Sequence, residues 1–290
     1  MSTQTKPLGI VVGVDGSPPA RVAVDWAARD AALHGVPLTL VYVMPDADAR
    51  MWLDIPIPAD FWHAAERDSR TILQDATELA REATAAHHIT VSTRVVEGNA
   101  VAALVDLSKE AQLVAVGNRG LGKVGRALLG SVSSGVVHHA HCPVAVIHDE
   151  DPLMPQPDRA PVVVGIDGSP ASERAVEIAF DEASRREVEL VAVHAWNLPG
   201  ADEGADPPEA VAEVLAERLA GWQERYPDVS VQRLLVRDHP AEALLARSER
   251  AQLTVVGSHG RGGFAGMLLG SVSSALVQSA RMPVIVARQP

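Results

Sequence analysis

The chain has one cysteine, Cys142, in 290 residues, which excludes an intrachain disulfide framework and fits a reducing compartment. No apolar run approaches the roughly 20 residues needed to cross a bilayer. Met1 to Lys6 are polar and lack the apolar core of a secretory signal, so a cytoplasmic protein without membrane insertion is expected. Positive charge is also scarce, with 25 Lys and Arg against 37 Asp and Glu and a formal net charge of −12. Long-range electrostatics then repel nucleic acid and anionic membranes, and an anionic ligand has to be held by local groups. A G-x4-G-K-[ST] loop is missing too, so P-loop hydrolysis has no support.

What is present is a duplication. Val114 to Ser134 reads VAVGNRGLGKVGRALLGSVSS, and Thr254 to Ser274 reads TVVGSHGRGGFAGMLLGSVSS. Gly117, Gly120, Gly130 and Ser131 in the first copy recur at the same spacing as Gly257, Gly260, Gly270 and Ser271. Glycine lets the backbone take positive φ and lets a ligand approach the main chain, so consecutive N–H groups can converge on an anion. Ser131 and Ser271 stand where a helix should begin, and their hydroxyls are expected to cap it beside the positive end of its dipole. A phosphate is the ligand this arrangement predicts.

Length suggests two domains, and the repeat divides them at residues 1–148 and 161–290. Asp149 to Pro161, DEDPLMPQPDRAP, has the composition of a stiff, solvated linker, here bounded at 149–160. In the first half Leu8 to Val14 reads as a buried strand, and Ser17 and Pro18 open a helix running to about Leu33. Strands follow at Leu38 to Val43, Ile89 to Val96, Leu113 to Val116 and Val144 to Ile147. Helices are expected at Phe61 to Ala86, Ala100 to Glu110 and Val132 to Ala140, and Met44 to Asp60 reads as a long loop. The alternation predicts an α/β chain of two tandem, open, five-stranded parallel sheets with helices on both faces.

Val163 to Pro170, VVGIDGSP, repeats Val11 to Pro18, VVGVDGSP. Asp15 and Asp167 lie 152 positions apart and the loop glycines 140 apart, so the second half is shorter between those points. Aligning the second strands pairs Val43 with Val193 and puts most of the loss after them.

Ligands of open parallel sheets sit beyond the carboxyl ends of the strands, where strand order reverses. Asp15 and Asp167 stand at that edge and can accept hydrogen bonds from ribose hydroxyls while the glycine loops hold phosphates. Sugar and phosphate together describe a nucleotide. Arg119, Lys123 and Arg126 bring three cations to the first loop, against Arg261 and His259 in the second, so the first site is expected to hold a triphosphate more tightly.

On these residues both halves resemble the universal stress protein family, specifically its ATP-binding branch with the fingerprint G-x2-G-x9-G-[ST]. The resemblance covers nearly the whole chain, and the tandem form is similar to members from mycobacteria and related actinobacteria. It implies an adenine nucleotide α-hydrolase-like, Rossmann-like fold, with one ATP site per domain and Mg only as carried by ATP. It also implies a nucleotide-dependent role in stress adaptation and growth, and pairing of domains through the last strand. Carried over by position, Gly13, Val14 and Asp15 with Gly165, Ile166 and Asp167 would line adenosine, and Val43 and Val193 would border the base. Val132 and Ser133 with Val272 and Ser273 would extend the phosphate cradle.

The loops supply neither a clear general base nor a metal-holding carboxylate near a γ-phosphate, so no catalytic residue is assigned. Slow ATP hydrolysis or phosphotransfer is the alternative reading. The apolar last strands, Val144 to Ile147 and Val284 to Ala287, need cover, which leads to an expectation of self-association through them and of a homodimer. Gly120, Gly122 and Gly125 spell the dinucleotide fingerprint, but three residues separate the strand from its first glycine and the helix waits until Ser131. His138, His139, His141 and Cys142 crowd one helix end and cannot all face one metal ion.

Overall fold

Strand β1, Ile10–Gly13, is a β-branched run buried along most of its length. It feeds the turn Asp15-Gly16-Ser17, where Gly16 takes a φ of 81°, and helix α1, Pro18–His34, starts there. The computed structural model in which these elements are seen describes residues 8–44, 60–120, 129–148, 159–196, 209–261 and 268–288. Ser17 caps α1, its Oγ accepting the Ala20 N–H at 3.3 Å. Proline suits the first turn because the N–H it lacks would have no partner inside the helix.

The chain divides into two units, Met1–Asp149 and Glu150–Pro290. The first continues with β2 Leu38–Met44, α2 Asp60–Ala83, β3 Val91–Glu97, α3 Ala100–Leu107, β4 Leu113–Gly117, α4 Ser131–His139 and β5 Val144–Ile147. Its strands run parallel in the order β3-β2-β1-β4-β5. The chain therefore winds one way from β1 and then the other, and the crevice between β1 and β4 is the switch point of the sheet.

The second unit repeats the plan with β6 Val162–Gly165, α5 Pro170–Arg185, β7 Leu190–Trp196, α6 Glu209–Leu219, α7 Trp222–Arg225, β8 Val231–Arg237, α8 Pro240–Ser248, β9 Leu253–Gly257, α9 Ser271–Ser279 and β10 Val284–Ala287. Its parallel order is β8-β7-β6-β9-β10. In α1 the fully buried residues Ala23, Ala27 and Ala31 form a stripe at four-residue spacing, and α5 repeats it with Ala175, Ala179 and Ala183. Small side chains bring each helix close to its sheet, against β4 and β9 respectively.

Strand pairing corrects the alignment of the halves. Gly13 stands beside Val41 in the first unit and Gly165 beside Val193 in the second, so the partner of Val193 is Val41, and Val43 corresponds to Ala195. The two mostly apolar strands, LTLVYV and LVAVHAW, share no marker residue from which to read their phase. With that register the whole length difference falls between the second and third strands, where the 24 residues of α2 are replaced by the 11 of α6 and the four of α7. Gly221, at φ 79°, separates α6 from α7. Trp222, just past this break, stacks on Phe180 and Tyr226, with ring centroids 5.7 and 6.2 Å away. The linker segment 149–158 and nearly all of the Met44 to Asp60 loop lie outside the described residues. Among the described residues no helix is long and apolar enough to cross a membrane.

Candidate functional site

At the switch point of the first unit the carboxyl ends of β1 and β4 open on a cavity of about 380 Å³, within the size range of small-molecule sites. Gly13, Val14 and Asp15 line one side, Val43 the strand beside them, and Gly117, Arg119, Gly120, Gly130, Ser131, Val132 and Ser133 the other. Asp15 is aimed by its own turn, with Oδ1 accepting the Ser17 N–H at 2.9 Å. Oδ2 lies against the main chain of the glycine loop, where a Cβ on Gly120 would fall 2.5 Å from it. Glycine is required at this position because carboxylate and loop meet there. Lys123 and Arg126 lie outside the described residues.

The second unit has the same construction around a cavity of about 350 Å³. Gly165, Ile166, Asp167 and Val193 face Gly257, His259, Gly260, Arg261, Gly270, Ser271, Val272 and Ser273 across it. Asp167 Oδ1 accepts the Ser169 N–H at 2.9 Å, and Oδ2 accepts the Arg261 N–H at 3.1 Å. Burial opposes ionisation of this carboxyl, but hydrogen bonds from Ser169, Ser172 and the Arg261 main chain outweigh it and hold its pKa below the ordinary carboxylate value. The Arg261 guanidinium folds back over Gly168, which has a φ of 75°. In the first unit the equivalent glycine, Gly16, is covered by Ile72 of α2 instead.

The serines at the two loop ends divide their tasks differently from the sequence expectation. Ser131 and Ser271 are the first helical residues, and the caps are Gly130 and Gly270, which make no side-chain capping bond. The extended backbone at Gly130 already turns the chain into α4, and Ser131 is left on the cavity wall. The first intrahelical bond joins the Ser134 N–H to the Gly130 C=O at 2.9 Å. The N–H groups of Ser131, Val132 and Ser133 precede it, at the positive end of the helix dipole. The hydroxyls of Ser133 and Ser273, on the cavity walls, donate to the carbonyls of Gly117 and Gly257, each at 2.6 Å. With the Gly130 N–H to Asn118 C=O bond at 2.8 Å and its counterpart from Gly270 to Ser258 at 2.7 Å, they tie each loop shut at its base.

Several wall residues escaped the sequence reading. Leu104 and Leu244 close the cavity floors beneath Gly13 and Gly165, where a Cβ would meet their Cδ1 atoms at 3.0 and 2.8 Å. Their 140-residue spacing, identical to that of the loop glycines, was the available signal. Tyr42 also lines the first cavity.

The profile of the Universal stress protein family matches residues 9–148 and again residues 159–288. The chain belongs to the universal stress protein family. A universal stress protein of Mycobacterium tuberculosis strain H37Rv is 54% identical over 297 residues, covering 100% of this chain and 99% of the relative. One from Mycolicibacterium smegmatis is 48% identical over 290 residues, with 97% of each chain covered. Among solved structures, a universal stress protein from Archaeoglobus fulgidus matches with a TM-score of 0.74 at 21% identity, covering 99% of this chain and 100% of that one. That likeness shows the universal stress protein fold in a chain of widely different sequence.

Proposed function

We propose that this universal stress protein binds one ATP in each unit and acts as a nucleotide-dependent regulator of stress adaptation and growth. The observation that carries this reading is the duplicated pocket, in which a turn carboxylate is packed against the second glycine of a loop that ends on open helix N–H groups. The carboxylate accepts from sugar hydroxyls. The glycine loop and the N–H groups of Ser131 to Ser133, and of Ser271 to Ser273, receive the phosphates, with Arg119 and Arg261 beside them. Gly13, Val14, Val41 and Val43, with Gly165, Ile166, Val193 and Ala195, supply the apolar wall for the base.

Asp15 and Asp167 are the one carboxylate each among the described lining residues, and both are engaged with main-chain N–H groups. That supports binding over turnover. Mg²⁺ enters only as carried by ATP. Cytoplasmic residence and homodimer formation complete the reading. Mass spectrometry of nucleotide released by heating the freshly purified protein tests it: ATP is expected, ADP in its place points to hydrolysis, and recovery of no nucleotide with no uptake of added ATP contradicts it.

A further inference from the structure

We infer that Tyr42 makes the first site a stricter reader of ribose hydroxyls than the second, an inference that rests on the nucleotide reading above. In strand register Tyr42 corresponds to His194. Tyr42 is half-buried in the wall of the first cavity, next to Val43 and on the same rim as Asp15. His194 is turned into the protein. Its Nδ1 lies 2.7 Å from the Ile166 carbonyl oxygen, so that nitrogen carries the hydrogen and the ring is held against the main chain. The second cavity at this level is walled by Val193 and Ala195.

The difference matters because a carboxylate only accepts hydrogen bonds, whereas each ribose hydroxyl both donates and accepts. An acid alone satisfies the two sugar protons and leaves the oxygen lone pairs without a donor. A neutral phenol beside it supplies that donor. Burial first, and then the nearby Asp68 and Asp15, push the Tyr42 phenol above its ordinary pKa, so it keeps its proton throughout the neutral range. In the second unit the polar group nearest in kind is Ser172, and its hydroxyl is already engaged inside the turn, shared between the Asp167 carboxylate and the Ser169 carbonyl 3.0 Å away and accepting the Gly168 N–H at 3.1 Å. A sugar lacking a hydroxyl therefore forfeits contacts to both a carboxylate and a phenol at the first site, and to a carboxylate at the second.

The test is isothermal titration of the full chain with Mg-ATP, 2′-deoxy-ATP and 3′-deoxy-ATP. Gly260→Ala isolates the first site and Gly120→Ala the second. The first site is expected to lose about three- to tenfold more affinity than the second for at least one deoxy analogue, the worth of one added hydrogen bond. Tyr42→Phe in the Gly260→Ala chain should weaken ATP by that factor and leave the sensitive analogue unchanged. Tyr42→His, the second unit's own residue, should bring the two sites level, and thermal melting checks that both variants fold. Equal discrimination at the two sites, or a Tyr42→Phe effect that is absent or the same for ATP and both analogues, overturns the inference while ATP binding stands. Failure of the unsubstituted chain to bind ATP overturns the nucleotide reading and this inference together.

Discussion

Gly260 and Asp167 occupy one another's space: a Cβ on the glycine would fall 2.6 Å from the carboxylate Oδ2. Real Cβ atoms do not come so close to oxygen, so Gly260→Ala must push the carboxylate aside or open the loop. The prediction is a loss of nucleotide affinity of about tenfold or more at the second site, about 1.4 kcal/mol per decade, with the first site untouched. Gly120→Ala should act in the same way on Asp15. Calorimetric titration of each variant reads the effect directly.

Ser133 and Ser273 hold the loop base, which makes their loss a stability effect before it is a binding effect. Ser133→Ala leaves the Gly117 carbonyl without the hydroxyl that now donates to it at 2.6 Å, and should destabilise the first unit by about 1 kcal/mol. Ser273→Ala should do the same for the second unit through Gly257. Urea denaturation gives the magnitude, and hydrogen exchange at the amino ends of α4 and α9 should accelerate locally.

Thr254 is fully buried in β9, and its hydroxyl has no hydrogen-bond partner among the described residues. The equivalent position in the first unit is Val114, also fully buried. Thr254→Val keeps the branched shape and removes an unsatisfied polar group, so it should stabilise the second unit by about 1 kcal/mol. A variant less stable than the parent in chemical denaturation would show that the hydroxyl has a role in the fold.

Asp167 carries a pH signature. Its native pKa is held below the ordinary value, so the folded state binds its proton less readily than the unfolded chain, whose carboxyl titrates near about 3.9. The stabilisation this carboxylate provides is fully present above about pH 4 and is lost as pH falls through the lower native value. The difference in unfolding free energy between the parent and Asp167→Asn should therefore be flat from neutrality down to about pH 4 and close below it.

The parts of the molecule legible in its sequence were those written by backbone demands. Ser17-Pro18 announces a helix start, Gly117 and Gly257 mark a strand running into a loop, and the repeat assigns both to the same edge of each sheet. The misread positions depend on side-chain direction. LTLVYV is apolar but for Thr39 and the Tyr42 hydroxyl, neither of which recurs in LVAVHAW, so matching Val43 in place of Val41 with Val193 sets the register two residues wrong. Ser131 looks like a cap because a serine before an apolar helix usually is one. Here Gly130 takes that role and Ser133 turns its hydroxyl back to the strand. Tyr42 reads as strand filler until the cavity shows which wall it stands in.

Native mass spectrometry of the intact chain titrated with Mg-ATP measures the central claim most directly. Two bound nucleotides per chain are expected at saturation, with one of them weakened by about tenfold or more in Gly120→Ala and the other in Gly260→Ala. A chain that stays unliganded at millimolar ATP, or that binds one nucleotide insensitive to both substitutions, would contradict the account.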